Sequence, residues 1–372
     1  MKYPRLDIDC SKINHNAQFL ISALSLKNIS VTPVMKVFLG HPIIAKTLID
    51  AGAKMFADSR VENIQRMAQS GITVPKMLIR TPMLSQVESV IRYCDISLNT
   101  EIKVIQKLSK VALHSNINHG VIIMVELGDL REGLMPELVI EFIREIIDLP
   151  NIVIRGIGTN LACRYGITPD DQNMEHLSRL AEKIEVTFGL TLDVISGGNS
   201  ASINWALGYK GFTRVNNLRV GEAIFLGSVP LEQAPIKGLY TDAVTLTAEV
   251  IESKSKPSLP WGTRGTNAFG EKENIPDKGT VSQAIIALGR QDVCVTGLNA
   301  PDGVTITSST SDHLIVETSG KPLFIGQKIT FNLDYSALLS SLSSRHILKA
   351  FNNRPGLTTP EEENETNGQT EN

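Results

Sequence analysis

Lys36 is the residue of this sequence best suited to covalent chemistry. It ends a run rich in β-branched residues, 29–36, and a helical pattern begins soon afterwards at His41 and Pro42. A lysine at the end of the first strand of an α/β barrel lies in the mouth where such barrels hold their active sites. Its amine can form an imine with an aldehyde cofactor or a carbonyl substrate. Taken alone, the same lysine also fits an ordinary surface loop.

Two glycine-containing turns later in the chain are suited to bind an anion. Residues 196–200, Ser-Gly-Gly-Asn-Ser, lie between a predicted strand and a helix, where open backbone N–H groups favour negative charge. Residues 217–223 place Gly221 just after Arg219, at the end of the last predicted barrel strand. Barrels often hold phosphate after strands seven and eight. With Lys36, these turns predict a phosphorylated carbonyl cofactor, and pyridoxal 5'-phosphate fits that description.

Short apolar segments alternate with amphipathic helical patterns from residue 29 to residue 225. Strands alternating with helices indicate parallel βα units, and eight such units close a TIM-like (β/α)8 barrel. An open doubly wound sheet is the rival arrangement. A further helix, 13–26, precedes the first barrel strand, with Ser11 as its expected N-cap. The eight strand candidates are residues 29–36, 55–59, 76–80, 96–99, 121–127, 152–160, 192–197 and 216–220.

The pattern changes after residue 235. Five segments rich in Val, Ile and Thr are separated by Gly, Pro, Asn and Asp, which predicts a C-terminal all-β domain. Residues 355–372 hold five glutamates, no basic residue and no periodicity, as is typical of a disordered acidic tail. We therefore expect a barrel domain over residues 1–230, including an N-terminal strand and helix, and a β domain over 235–354.

Composition excludes several classes of function. The 372 residues include 36 basic and 39 acidic side chains, so no basic excess indicates nucleic-acid binding. No apolar run is long enough for a membrane helix, and the first residues lack an apolar signal core, so we expect a cytoplasmic protein. The four cysteines lack the spacing of a metal site, which predicts free thiols and no metal.

The sequence also resembles the pyridoxal-phosphate-dependent alanine racemase fold family over residues 3–353, and within it the ornithine racemase branch. The resemblance is carried by Lys36, by the two glycine turns at 196–200 and 217–223, and by Gly-Thr-Asn-Leu-Ala-Cys at 158–163. It implies a barrel followed by a β domain, with Lys36 carrying the cofactor. The implied activity is an amino-acid racemase that removes the Cα proton on one face and returns a proton on the other.

The resemblance implies roles for further residues. Arg219 contacts the pyridine nitrogen of the cofactor. Because arginine keeps its proton, that nitrogen stays unprotonated and the cofactor ring is a weaker electron sink. A weaker sink favours racemisation over decarboxylation or transamination. Asn160 stands where alanine racemases place a histidine. Arg131 contacts the cofactor's phenolic oxygen and the substrate carboxylate, unless it only forms an ion pair with Glu132 or Asp129. The implied phosphate contacts are Gly198, Asn199, Ser200, Gly221, Glu222 and Tyr335.

The implied active site includes residues of a second copy of the chain. Asp312 and His313 resemble the segment that reaches the partner subunit, with Asp312 in a catalytic and substrate-binding role, so we expect a homodimer with shared sites. The candidates for the acid–base group opposite Lys36 are Cys163, His313 and Asp312. The tyrosine that alanine racemases use there is absent, and Trp261 lies near its place.

A basic amino acid such as ornithine is the expected substrate, because the segments quoted above are those of the ornithine branch. The alternatives are racemisation of alanine or serine, a non-racemising reaction of the same fold such as decarboxylation or lysis, and a cofactor-binding regulator. The sequence departs from alanine racemases at Gly40. Alanine racemases have a tyrosine at this position, four residues after the lysine that corresponds to Lys36.

Overall fold

The computed structural model of the chain describes residues 2–232, 234–272 and 274–352. The predicted acidic tail, residues 355–372, lies outside these ranges. Within them, no helix combines the length and the apolar character needed to cross a bilayer.

The chain opens with strand β1 (Arg5–Asp9), in which buried and half-buried residues alternate. Helix α1 (Cys10–Ser25) follows directly. Its N-cap is Asp9, because the backbone there is extended and the carboxylate accepts the backbone N–H groups of Ser11 and Lys12. The predicted cap at Ser11 was therefore wrong by two residues, since Ser11 already lies inside the first turn.

Eight short parallel strands come next, and they coincide with the eight predicted segments. Most of their residues are buried, as in parallel sheets covered by helices. The strands are β2 (Ser30–Pro33), β3 (Phe56–Asp58), β4 (Lys76–Leu78), β5 (Ile96–Asn99), β6 (His119–Met124), β7 (Ile152–Gly158), β8 (Val194–Ser196) and β9 (Asn217–Val220).

These strands form a closed barrel. They are ordered β2-β9-β8-β7-β6-β5-β4-β3, so the first strand lies beside the last. The remaining gap is bridged where Val34 pairs in parallel with Ala57, with a 2.7 Å hydrogen bond from the Met35 N–H to the Ala57 carbonyl. The predicted TIM-like barrel is confirmed and the open doubly wound sheet is excluded.

Helices connect successive strands and cover the outside of the barrel. Their amphipathic patterns bury one face against the strands. They are α2 (Pro42–Asp50), α3 (Val61–Gln69), α4 (Val87–Tyr93), α5 (Ile102–His114), α6 (Val139–Ile146), α7 (Asp171–Phe188), α8 (Ile203–Gly208) and α9 (Glu222–Leu226).

The C-terminal region is a strand-rich domain, as predicted. Its described residues also include an α-helix that was not expected, α10 (Tyr335–Ser343). A short hairpin of β10 (Ser228–Val229) and β11 (Ala234–Pro235) precedes it. Its remaining strands are β12 (Val244–Pro257), β13 (Thr280–Ile286), β14 (Leu298–Asn299), β15 (Val304–Ser309), β16 (Leu314–Thr318), β17 (Lys328–Leu333) and β18 (Leu348–Asn352).

Strand β1 belongs to the sheet of this second domain rather than to the barrel. It pairs antiparallel with β12 and parallel with β18. This differs from the expected division at residue 230, which kept the N-terminal strand with the barrel. The alternating burial of β1 suits a sheet with one covered face, and the strand therefore ties the two ends of the chain together.

Gly40 permits the tight turn that follows Lys36. Its φ of +66° is unfavourable for other residues, and a Cβ there would lie 2.4 Å from the Asn63 carbonyl oxygen. No side chain fits between the turn and α3, which explains the absence of the tyrosine found in alanine racemases.

Gly40→Ala is expected to lower the free energy of unfolding by about 1–3 kcal/mol, through backbone strain and overpacking together. Gly189→Ala is the matched control, because Gly189 has a φ of +62° but a methyl group added there would have nothing within 4 Å. Urea unfolding of both variants measures the difference. Equal losses for the two would contradict the packing argument.

Candidate active site

Lys36 lies at the C-terminal mouth of the barrel. It begins a short 3-10 turn, Lys36–Phe38, after β2. Its half-buried ammonium lies 5.4 Å from the ring centroid of Tyr335, at the start of α10. Among the described residues none forms a hydrogen bond with its Nζ, so the amine is available for a ligand. The second domain therefore contributes an aromatic wall beside the lysine.

Arg219 is buried on β9, the strand that pairs with β2, with 3% of its surface exposed. Its guanidinium donates to the Ser196 hydroxyl and, at 2.8 Å, to the Thr159 carbonyl, with the Asn160 side-chain oxygen 3.5 Å away. Burial lowers the pKa of Arg219 to about 10, which still leaves it protonated at neutral pH. Three neighbouring strand ends thus hold one fixed cation that a ligand can meet.

The two predicted anion-binding turns are adjacent in the fold. The Arg219 N–H donates to the Gly198 carbonyl at 2.9 Å, and the Ala223 N–H donates to the Ser200 hydroxyl at 3.2 Å. Gly198 has a φ of +111°, and a Cβ there would lie 2.8 Å from the Ser202 hydroxyl. Asn199 caps the turn by accepting the Ala201 N–H. The turns after strands seven and eight of the barrel therefore form one continuous cradle.

Two loops at the mouth are joined by a buried carboxylate. Asp129 is fully buried and accepts the backbone N–H groups of Arg164 and Tyr165, both at 2.9 Å. It fixes the loop after β6, which carries Arg131, to the loop after β7, which carries Cys163. The guanidinium of Arg131 is paired with Glu132, so of the two predicted ion-pair partners the structure shows Glu132.

Cys163 is exposed at the mouth and lies between cationic groups. Its sulfur is 3.4 Å from the Asn199 side-chain nitrogen. The charges of Arg131 and Arg219 are both close enough to interact with it.

Asp312 and His313 are not brought to this cluster within one chain. They lie in the turn between β15 and β16, and the His313 ring nitrogen is 3.1 Å from the Asp312 carboxylate. The Asp312 side chain is 56% exposed. Their hydrogen bonds in the described structure are otherwise to the neighbouring residues Thr310 and Ser311.

Three buried polar atoms near Lys36 or Arg219 have no hydrogen-bond partner among the described residues. They are the Thr159 hydroxyl, the Asn160 side-chain nitrogen and the Tyr335 hydroxyl. Such atoms are rare in folded proteins because leaving them unpaired costs about 1–3 kcal/mol each. Their concentration around Lys36 and Arg219 indicates that a polar ligand completes the site.

Asp58 is a buried carboxylate near Lys36 that sequence reasoning did not single out. It ends β3 and accepts hydrogen bonds from the Arg60 N–H and the Asn63 side chain. Burial raises its pKa to about 6, although these hydrogen bonds and the charge of Lys36 act in the opposite direction. An acidic residue at the end of an apolar strand was the signal that could have identified it.

Asp58 is expected to make stability depend on pH. Because its pKa is about 6 in the fold and near 4 in an unfolded chain, its contribution is fully present below about pH 4 and is lost as pH rises through 6. Asp58→Asn removes this titration, so the variant should gain about 3 kcal/mol relative to the wild type over that interval. Urea unfolding of both proteins from pH 4 to 8 tests this, and parallel curves would contradict it.

Comparison with known proteins shows the family of this chain. The sequence model of the alanine racemase N-terminal domain matches residues 8–229, more than half of the chain. The ornithine racemase of Acetoanaerobium sticklandii is 39% identical over 351 residues, covering 93% of this chain and 99% of that protein. The lysine racemase of Thermotoga maritima is 35% identical over 353 residues, covering 94% and 99% respectively.

The fold comparison agrees. The crystal structure of D-threonine aldolase from Filomicrobium marinum superposes with a TM-score of 0.73, covering 94% of this chain and 91% of that one, at 15% sequence identity. At this identity the likeness concerns the fold alone. The sequence relatives match nearly the whole chain, and the resemblance predicted from the sequence is confirmed: the chain belongs to the alanine racemase family.

Proposed function

We propose that this protein is a pyridoxal-phosphate-dependent racemase of a basic amino acid such as ornithine or lysine. The observation that carries the proposal is the near full-length identity with two racemases named for those amino acids. The geometry around Lys36 supports it, because a free amine, a buried guanidinium and unpaired polar atoms converge on one space.

The residues present fit a pyridoxal phosphate. Lys36 has an amine without a hydrogen-bond partner in the described chain for the covalent link, and the cradle at Gly198 and Gly221 suits the phosphate. The unpaired hydroxyl of Tyr335 would complete the phosphate contacts. Arg219 and the Asn160 side-chain nitrogen, which no described residue pairs, would contact the ring. The remaining phosphate contacts proposed are Asn199, Ser200 and the backbone of Glu222.

When bound, pyridoxal phosphate supplies an electron sink that acidifies the Cα–H bond of an attached amino acid. Lys36 then removes the proton from one face of Cα and can return it there. Arg219 would donate a hydrogen bond to the ring nitrogen while keeping its own proton, which would limit how far negative charge spreads into the ring. Arg131 binds the substrate carboxylate, with Asp129 fixing its loop in place.

A second group must exchange a proton on the face opposite Lys36. Cys163 is the candidate supported within one chain, because its sulfur lies at the mouth beside Asn199 and near two guanidinium groups. Asp312 and His313 are the candidates from a partner subunit. We therefore propose a homodimer in which the β domain of one subunit completes the site of the other. Sedimentation of fully active protein as a monomer would contradict this arrangement.

The test of the proposed function is exchange at Cα in heavy water. Purified protein with added pyridoxal phosphate is incubated with L- and D-ornithine, lysine, alanine and serine, and optical purity and deuterium content are measured. We expect racemisation with deuterium incorporation for ornithine or lysine. Neither exchange nor racemisation of any of these amino acids would refute the proposal, and turnover of alanine or serine alone would correct the substrate.

A further inference from the structure

We propose that the side-chain carboxylate of Glu222 binds the second, side-chain ammonium of a basic amino-acid substrate. This inference rests on the function proposed above and names the residue that would distinguish a basic substrate from a neutral one. A terminal ammonium that leaves water requires a carboxylate partner inside the site, because an unpaired buried charge is strongly unfavourable.

Glu222 lies at the edge of the same space as Lys36. It is the first residue of α9, and the preceding Gly221 packs on Val34, two residues before Lys36. A Cβ on Gly221 would lie 3.2 Å from the Val34 Cβ, so the two segments are in close contact. The charges of Lys36 and Asp334 both act on the Glu222 carboxylate. Glu222 is therefore near both the reacting amine and the start of α10.

The carboxylate of Glu222 is half-buried and lacks a hydrogen bond from any residue in the described ranges. The other carboxylates around Lys36 and the barrel mouth are already engaged. Each of them accepts at least one hydrogen bond within the chain: Asp58, Glu126, Asp129, Glu132 and Asp334. Glu222 is thus a carboxylate beside Lys36 that, within the described chain, remains open to an external donor.

The electrostatic surroundings favour an arriving cation. Burial, with a smaller contribution from the neighbouring Asp334, raises the pKa of Glu222 to about 7, and Lys36 acts in the opposite direction. Tyr335, on the same helix end as Asp334, has its ring centroid 5.4 Å from the Lys36 ammonium and a buried hydroxyl that no described residue pairs. An ammonium placed beside Glu222 would stabilise its charged form and would offset the negative charge of Asp334. A neutral side chain would leave this acid without a partner.

The experiment compares Glu222→Gln with the wild-type holoenzyme on matched substrate pairs. Ornithine is paired with norvaline, and lysine with norleucine, because each pair has the same main carbon chain and differs in the terminal amine. We expect kcat/KM for the basic member to fall about 10- to 100-fold, mainly through KM, as for a lost charge-assisted hydrogen bond. The value for the neutral member should stay within a few-fold.

Asp58→Asn is the matched control. It also removes a carboxylate near Lys36, but one whose hydrogen bonds are already made, so it should leave the ratio between basic and neutral substrates unchanged. Glu222→Asp keeps the charge on a shorter side chain and should retain part of the preference for basic substrates. This second variant keeps the test decisive if Glu222→Gln folds poorly.

Proton release provides a readout that does not depend on turnover. Because Glu222 would ionise fully when an ammonium binds, ornithine should release more protons than norvaline near pH 6.5, as measured by calorimetry in buffers of different ionisation enthalpy. Glu222→Gln should abolish this difference.

The outcomes separate the two proposals. If the wild type racemises no basic amino acid, the proposed function fails. If it racemises ornithine but Glu222→Gln keeps the wild-type preference, or loses basic and neutral substrates equally, only the role of Glu222 is overturned.

Discussion

Lys36→Ala is expected to abolish racemisation in both directions. The variant loses the covalent anchor for the cofactor and the acid–base group on one face of Cα, and a positioned acid–base group alone contributes about 10²–10⁴-fold. The Lys36 ammonium lies 5.4 Å from the centroid of the Tyr335 ring, and no other lysine of the described chain contacts that ring. No second amine is therefore in place to replace Lys36. Activity should therefore fall below detection rather than to an intermediate level.

The Lys36→Ala substitution should affect catalysis and not stability. Lys36 makes no hydrogen bond with any described residue, so its removal should leave the free energy of unfolding nearly unchanged. Lys46→Ala, at an exposed position on α2, is the matched control and should keep full activity. Deuterium incorporation at Cα and trapping of the cofactor with borohydride measure the two losses separately. A Lys36→Ala protein that still exchanges the Cα proton would place the catalytic lysine elsewhere.

Arg219→Met is expected to lower kcat for racemisation by about 10²–10³-fold, the usual cost of removing one preorganised donor from a site where charge develops. Methionine has a comparable unbranched stem but cannot donate to the Thr159 carbonyl or to a ring nitrogen. The buried carbonyl of Thr159 would lose its 2.8 Å hydrogen bond, at a cost of about 1–3 kcal/mol. Removal of a buried charge partly offsets this cost, so the protein should fold.

Reaction specificity distinguishes a catalytic from a structural role for Arg219. If the guanidinium limits charge delocalisation, Arg219→Met should change the ratio of transamination to racemisation, which a loss of stability alone would not do. Arg219→Lys keeps the charge but lacks the planar set of donors of arginine. Its ratio of transamination to racemisation should therefore lie between those of the wild type and Arg219→Met. An unchanged product ratio with lower stability would mean that Arg219 only supports the strand ends.

The sequence alone determined the barrel and the positions of the main site residues. Alternation of short apolar strands with amphipathic helices is a local pattern, and each βα unit repeats it, so all eight strands could be predicted. Lys36 and the turn at 196–200 come at the ends of predicted strands, and Arg219 lies near the end of another. The ends of parallel strands meet at one face of a barrel. Their proximity therefore follows from the order of the elements.

Only the tertiary structure decided which polar groups are paired. Strand β1 pairs with β12 and β18, more than 200 residues away, and no local pattern encodes such a partner. The same holds for Asp129, which accepts the backbone N–H groups of Arg164 and Tyr165. It also holds for Glu222, whose carboxylate has no hydrogen bond in the described chain. Hydrogen bonding depends on distances of about 3 Å between segments far apart in sequence. The sequence shows which residues can form hydrogen bonds, whereas the packing of the loops sets which partner each of them has.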